Sequence, residues 1–131
     1  MTLIDGFEAC SLEKFPHTDH VRLTCAYLQR YDPDETLRRL LTGLARFATA
    51  KGAPEKFHYT ITRAWLEIIV EARRQHPHSS DAESLLASCP ALADARLLRH
   101  YYSEQALSSD AARTGWVPPD LATFSRRLTN D

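Results

Sequence analysis

The sequence has few glycines and few cysteines, and each shortage excludes a class of protein. Only four of the 131 residues are glycine, and no alternating strand pattern extends beyond a few residues. Helical spacing dominates instead. The three cysteines, Cys10, Cys25 and Cys89, are odd in number and widely spaced, and no CxxC pair is present. This pattern argues against a disulfide framework and against a thiolate zinc site.

The chain also lacks an excess of charge and long apolar runs. Its formal net charge is −1, whereas nucleic-acid-binding proteins usually carry a strong basic excess. No run of 18 apolar residues occurs, so no membrane span is expected. The start, "MTLIDGFEACSLEKF", has neither the basic residues nor the apolar core of a secretory signal. Together with the free thiols, these features predict a cytoplasmic protein with neither nucleic acid nor membrane as a partner.

What remains is the composition of an ordinary globular domain. Apolar residues make up 44% of the chain and charged residues 25%, which is typical of such proteins. A chain of this length forms one domain with a sizeable core. We predict an all-α fold, a compact single-domain helical bundle of five to six helices over residues 1–131. The N-terminal segment 1–15 and the C-terminal segment 116–131 are expected to be irregular.

Local signals place the main helices. The first is predicted at about residues 18–31, capped by His17 or Thr18. In the second, "DPDE" supplies Asp32 as N-cap, with Glu35 closing a capping box, and Gly52 marks the end. The third is predicted from Pro54 to just before Pro77. Shorter helical stretches follow: a capping box of Ser80 with Glu83, then "ALADARLLRHYY", then "SSDAARTG".

Two histidines mark the inner face of the first predicted helix. An α-helix turns about 100° per residue, so Arg22, Gln29 and Arg30 gather opposite His20. Apolar and aromatic side chains flank His20 instead, so it faces the core side. His17 lies nearly one turn earlier and faces roughly the same way.

A third histidine occupies the inner face of the third predicted helix. Lys56, Arg63, Glu67 and Arg74 cluster opposite His58, whereas the apolar stripe surrounds it. Three histidines from two helices are therefore predicted to point inward, with the rings of His20 and His58 mostly buried and close together.

Inward imidazole rings need partners, and two interpretations follow. Each ring could bond to a backbone carbonyl, a hydroxyl or a carboxylate. Alternatively, His17, His20 and His58 could converge on one metal ion; histidine ligation without cysteine suits zinc, copper or non-haem iron. An open fourth position would make such a site catalytic.

Neighbouring side chains are candidates to line this site or to orient its ligands. Thr62, Trp65, Cys25 and Tyr27 lie near the histidines on the same helical faces. Each also has a simpler interpretation, because Thr62 could bond back to its own helix, Trp65 could pack in the core and Cys25 could be a small buried thiol. No GxGxxG, P-loop, GxSxG or HExxH motif is present, so no nucleotide cofactor is expected.

Three stretches resemble a family of small bacterial helical proteins that are usually left as hypothetical. They are "FPHTDHVRLTCAYLQRY", "GAPEKFHYTITRAWLEII" and "RHYYSEQALSSDAARTGWVPPDL". The family shows "HxDHLRLA" and "GxxxKYHxTxT" helix starts and a "WxxPDL"-like tail. The matching positions are His17, Asp19, His20, His58, Thr60, Thr62 and Trp65, and the resemblance thereby adds Asp19 to the candidate site residues. Tyr59 departs from the pattern, because many relatives carry glutamate there. The resemblance implies a compact helical fold in a bacterial cytoplasm and supplies no reaction.

These observations favour one functional hypothesis over a rival. The first is a small metal-dependent enzyme that carries out a redox or oxygen-using reaction on a small molecule, with copper, iron or zinc on His17, His20 and His58. The rival is a non-enzymatic helical module that binds a small molecule or a protein partner. In the rival, the histidines are core or pocket residues without a metal.

Overall fold

The structure is a computed structural model that describes residues 2–124, and these residues form helices and no strands. The α-helices are α1 (Leu3–Glu8), α2 (His17–Leu28), α3 (Pro33–Ala50), α4 (Tyr59–Gln75), α5 (Ala82–Ser88), α6 (Glu104–Ser108) and α7 (Asp110–Thr114). Three 3-10 helices cover Pro54–Lys56, Pro90–Ala93 and Ala95–His100. The all-α prediction is confirmed. The predicted number of five to six helices is too low, because the additional helices are too short to show periodicity.

Helices α2, α3 and α4 pack against one another and form the frame of the molecule. Helix α2 lies between two apolar clusters and contributes a different face to each. The first cluster joins α1, α2 and α3, and its buried members are Ile4, Phe7, Leu23, Tyr27 and Leu40. The second cluster is larger and joins α2, α4, α5 and the C-terminal part, with fully buried members that include Val21, Cys25, Ile68, Ile69, Leu85, Tyr101 and Tyr102.

The sequence predicts an irregular N-terminal segment, but Leu3–Glu8 of this segment form α1. Thr2 accepts a hydrogen bond from the backbone N–H of Asp5, and the Asp5 carboxylate accepts one from the Thr2 backbone N–H. This capping box starts α1. Phe7 then docks the helix on Gly43 of α3, where an added Cβ would lie 2.2 Å from the Phe7 ring. A helix of six residues offers too few turns for an apolar stripe to be recognised in the sequence.

Helix α3 begins and ends where the sequence places its signals. The Asp32 carboxylate accepts a hydrogen bond of 2.8 Å from the Glu35 N–H, and Pro33 is the first helical residue. The Glu35 side chain binds Arg38 and Arg39 rather than completing a capping box. At the other end Gly52 has a φ of 75°. The N–H groups of Gly52 and Ala53 reach back to Thr49 and Ala48 in a Schellman motif, which satisfies the last carbonyls of the helix.

The predicted start of α4 at Pro54 is wrong by five residues. Pro54 opens a 3-10 turn instead, and α4 begins at Tyr59 with His58 as its N-cap. Similarly, α2 begins at His17 after Pro16, with no side-chain cap. Helix α5 is capped by Asp81, which accepts from the Ser84 N–H, and not by Ser80. The helical stretch predicted around "ALADARLLRHYY" forms two 3-10 helices, Pro90–Ala93 and Ala95–His100.

The C-terminal segment is non-helical over residues 116–124, as predicted, and its remaining residues lie outside the described part of the chain. Side chains tie it to the bundle. The Thr60 hydroxyl donates to the Gly115 carbonyl and accepts from the Val117 N–H, and the Tyr102 hydroxyl donates to the Val117 carbonyl. Within residues 2–124, no helix combines the length and the apolar character that a membrane span requires.

Candidate functional site

A cavity of about 490 Å³ opens between α2, α3, the α3–α4 connection and the start of α4. Its volume falls within the range of about 300–1,000 Å³ that small-molecule sites occupy. The walls are mainly apolar and aromatic, formed by Phe15, Leu44, Phe47, Ala48, Ala53, Phe57 and Ile61. His17, His20, His58 and Thr62 also line it. We call it the histidine cavity.

His58 enters the cavity wall as the N-cap of α4, not from within the helix. Its Nδ1 accepts a hydrogen bond of 3.1 Å from the Ile61 N–H, and its Nε2 lies 2.7 Å from the Leu107 carbonyl. A carbonyl only accepts, so Nε2 carries the proton and Nδ1 the lone pair. Both ring nitrogens are therefore used by the backbone, and the ring ties α4 to α6.

His17 is the first residue of α2 and bonds across the molecule. Its Nε2 donates to the Leu92 carbonyl at 2.8 Å, which holds the 3-10 helix Pro90–Ala93 against α2. The ring lies 4.3 Å from the Trp65 ring between centroids. This contact places Trp65 behind His17, where it supports the ring from the second cluster.

His20 differs from the other two histidines because part of its ring has no partner. Its Nε2 is buried, and no residue in the described part of the chain hydrogen-bonds to it. The ring centroid lies 6.4 Å from that of His17 and 5.8 Å from that of Phe15. Burial, and to a smaller extent the charge of His17, lowers the pKa of His20 to about 4. His20 is therefore a neutral ring near pH 7 with one unsatisfied nitrogen.

The rings of His20 and His58 were expected to be mostly buried; both residues are half-buried as a whole, while the Nε2 of the His20 ring is itself buried. The reason is the cavity itself, which leaves one side of each residue without a protein neighbour. The two helical faces therefore enclose a space.

The remaining predicted site residues divide between the cavity and its surroundings. Thr62 lines the cavity, and its hydroxyl donates to the His58 carbonyl at 2.8 Å, so it bonds back to the start of its own helix. Trp65 is buried behind His17. Asp19 lies in the first turn of α2 and forms an ion pair of 3.1 Å with Arg22, away from the cavity wall.

Cys25 and Tyr27 lie in the two cores rather than in the cavity. Cys25 belongs to the second cluster, and burial raises the pKa of its thiol to about 11. Tyr27 belongs to the first cluster and donates a hydrogen bond of 2.7 Å from its hydroxyl to Glu8. Burial, together with that hydrogen bond, raises the pKa of Tyr27.

The structure brings the three predicted metal ligands to one cavity but commits two of them to the backbone. His58 would have to release the hydrogen bond from the Ile61 N–H to offer its Nδ1 lone pair to a metal ion, while its Nε2–H could keep the Leu107 carbonyl. Among residues 2–124, no group of three or more His, Cys, Asp or Glu side chains is arranged to hold a metal ion. The three-histidine metal site remains a prediction from the sequence.

Sequence reasoning missed the charged residues of the cavity. Lys51, Lys56 and Glu13 line it and are exposed. The Lys51 ammonium lies 5.5 Å from the centroid of the Phe47 ring, over the aromatic wall. Lys51 directly follows α3 and Lys56 lies in the 3-10 turn before His58. The only available signal was therefore the short α3–α4 connection, which brings both lysines to the same place as His58.

Comparison with known proteins gives no family for this chain. No family model, no curated protein and no solved structure matches it.

Proposed function

We propose that this protein binds a small organic molecule in the histidine cavity. The observation that carries the proposal is the buried Nε2 of His20, which has no partner among residues 2–124, in a residue that lines a cavity of about 490 Å³. An unpaired buried polar atom costs about 1–3 kcal/mol. A ligand that hydrogen-bonds to His20 recovers this cost on binding.

The walls support an apolar body for this molecule. Phe15, Phe47 and Phe57 present aromatic surface, and Leu44 and Ile61 add aliphatic surface. Burial of a ligand on such a surface supplies about 25 cal/mol for each Å² removed from water. The histidine ring then acts as the orienting polar group of a mainly apolar site.

The metal-dependent enzyme predicted from the sequence competes with this proposal. It requires His58 to give up at least its N-cap bond to the Ile61 N–H, because that bond occupies the Nδ1 lone pair. Each such hydrogen bond contributes about 0.5–1.5 kcal/mol. Binding of an organic molecule leaves the N-cap bond of His58 in place, and for this reason the geometry favours it.

The test is a change in melting temperature with a matched pair of cavity variants. The probe is 2-naphthol, whose rings suit the aromatic wall and whose hydroxyl can bond to an imidazole nitrogen. Ala48→Phe fills the cavity, because Ala48 lines it, whereas Ala50→Phe adds the same ring at an exposed position of the same helix. We expect 2-naphthol to raise the melting temperature of the wild type and of Ala50→Phe, but not of Ala48→Phe.

Metal ions provide the opposing arm of this experiment. Zinc, copper(II) and iron(II) are added separately to the wild type and to His58→Ala, both purified without a histidine tag. A metal-dependent rise in melting temperature that disappears in His58→Ala, together with no effect of 2-naphthol on the wild type, would overturn the proposal in favour of the metal site.

A further inference from the structure

The charges around the histidine cavity have one predominant sign. Two lysines, Lys51 and Lys56, line the cavity against one carboxylate, Glu13. In the described part of the chain, neither ammonium lies within 4.0 Å of a carboxylate, and the Glu13 carboxylate lies within 4.0 Å of no lysine, arginine or histidine nitrogen. The lysine charges are therefore available to a ligand and not consumed by structural ion pairs.

Two helices also begin at this cavity. His17 is the first residue of α2 and His58 is the N-cap of α4, and both line the wall. The N-terminal end of a helix carries a partial positive charge. Helix α2 has no side-chain cap, so its first-turn N–H groups receive no hydrogen bond from a capping side chain.

The C-terminus of α3 at the cavity contributes less negative charge than a helix end whose last carbonyls have no hydrogen-bond donor. Helix α3 ends beside the cavity at Ala50, and the N–H groups of Gly52 and Ala53 cover the carbonyls of Thr49 and Ala48. Lys51 supplies a cation at the same end. The sum of side chains and helix ends is electropositive.

We infer that the ligand of the histidine cavity is an organic monoanion, a carboxylate attached to an apolar body; the inference rests on the proposed function. The carboxylate faces Lys51, Lys56 and the start of α2, and the apolar body lies against the three phenylalanines. A polyphosphate is a poorer match, because the part of the wall formed by residues 2–124 contains no arginine and its side-chain charges sum to about +1.

The experiment compares three probes with the same body and different heads. They are 4-phenylbutyrate, 4-phenylbutan-1-ol and 4-phenylbutylamine, titrated into the full-length protein by isothermal calorimetry at low salt. The acid is expected to bind about tenfold more tightly than the alcohol, and the amine more weakly than the alcohol. Inorganic phosphate, which has no apolar body, is expected to compete poorly with the acid.

A lysine variant locates the effect. Replacing both Lys51 and Lys56 with glutamine should weaken binding of the acid by about fivefold and leave binding of the alcohol unchanged. Lys14→Gln is the matched control, because Lys14 is exposed and does not line the cavity. It should leave the affinity of both probes unchanged.

The outcomes separate the two proposals. If the alcohol binds as tightly as the acid, or if phosphate competes as well as the acid, the anion inference is overturned and the cavity remains a binding site for neutral molecules. If neither the acid nor the alcohol binds, or if both bind to Ala48→Phe as well as to the wild type, the proposed function itself fails.

Discussion

The two apolar clusters are closed by different sets of contacts, and the histidine cavity lies between them. The first cluster is closed by side chains that pack on side chains: Phe7 stacks on Phe15 at 5.6 Å, and Phe15 contacts Phe47 at 5.7 Å. The second cluster also contains ring packing, since Tyr101 lies 5.2 Å from Phe124 between ring centroids. In addition, side chains bond it to distant backbone, as Thr60 and Tyr102 do with the segment at Gly115 and Val117. The two clusters leave a gap where they meet.

The histidine cavity occupies this gap at the boundary of the clusters. Phe15, Leu44 and Phe47 belong to the edge of the first cluster, and Ile61 belongs to the edge of the second. His17 and His58 also line the cavity, where their rings hydrogen-bond to the backbone carbonyls of Leu92 and Leu107. His20, which has no such carbonyl, faces Phe15. The histidine with the unpaired buried nitrogen therefore lies on the side of the cavity that Phe15 forms.

The largest expected effect comes from Trp65 in the second cluster. Trp65→Ala removes a ring that is 2% exposed and supports His17, and it should lower the free energy of unfolding by about 3–5 kcal/mol. Phe7→Ala should cost less, because Phe7 lies on a terminal helix of six residues that can detach locally. Urea unfolding followed by circular dichroism measures both. A larger loss in Phe7→Ala would reverse the assignment of the second cluster as the main core.

The second effect is a loss of stability in acid that depends on His20. An unfolded histidine has a pKa of about 6.5, and burial lowers the pKa of His20 to about 4 in the folded protein. Between these values the unfolded chain binds more protons, so the free energy of unfolding falls as the pH drops from 6.5 to 4. The contribution is at most about 1.4 kcal/mol per pH unit.

His20→Gln isolates this contribution, because glutamine does not titrate. The difference in unfolding free energy between wild type and variant should shrink or reverse in favour of the variant as the pH falls through this window. Carboxylates elsewhere in the chain affect both proteins alike. Parallel curves for the two proteins between pH 7 and pH 4 would show that His20 is not a buried neutral ring.

How much of this could be read from the sequence depends on how local each feature is. Asp32, Pro33 and Gly52 act on their own helix, and their signals placed α3 correctly. The predicted start of α4 was wrong because a proline such as Pro54 occurs at the start of a 3-10 turn as readily as at the start of an α-helix. The periodicity of the apolar stripe then placed His58 within α4, although His58 is the N-cap of this helix.

The placement of the three histidines was predictable, but their bonding was not. Helical spacing put all three on inner faces, and all three line one cavity. Their carbonyl partners lie far along the chain, 75 residues from His17 and 49 from His58. No spacing rule reaches such distances, so the sequence could not separate the satisfied rings from the unsatisfied one.

The third prediction uses two threonine variants to test the hydrogen bonds that hold the backbone of Gly115 and Val117 against α4. Thr60→Val removes the hydroxyl that bonds to both Gly115 and Val117, and it should cost about 1–3 kcal/mol because two backbone groups lose their partner. Thr62→Val is the matched control, since the Thr62 hydroxyl bonds only to His58 in its own helix. Hydrogen exchange should show faster exchange of the Val117 amide in Thr60→Val only. Equal losses of stability in the two variants would show that the bonds of Thr60 to Gly115 and Val117 do not stabilise the second cluster.

The smallest effect concerns the packing of α1 on α3. A Cβ at Gly43 would lie 2.2 Å from Cε2 of Phe7, whose ring is fully buried and held by Phe15 and Tyr27. Gly43→Ala gains about 0.5–1 kcal/mol in helix propensity but forces this ring aside, at about 1–3 kcal/mol. The expected net result is a loss of about 1 kcal/mol in the free energy of unfolding.

A double-mutant cycle separates the two contributions to this net loss. Phe7→Leu shortens the side chain that would clash, so Gly43→Ala should become neutral or stabilising in its presence, because the helix-propensity gain remains and the overlap is relieved. Thr42→Ala, at the exposed neighbouring position, is the control and should change stability by no more than about 0.5 kcal/mol. If Gly43→Ala stabilises the protein without any change at Phe7, then α1 does not depend on this close approach, and the first cluster would be held by its other rings alone.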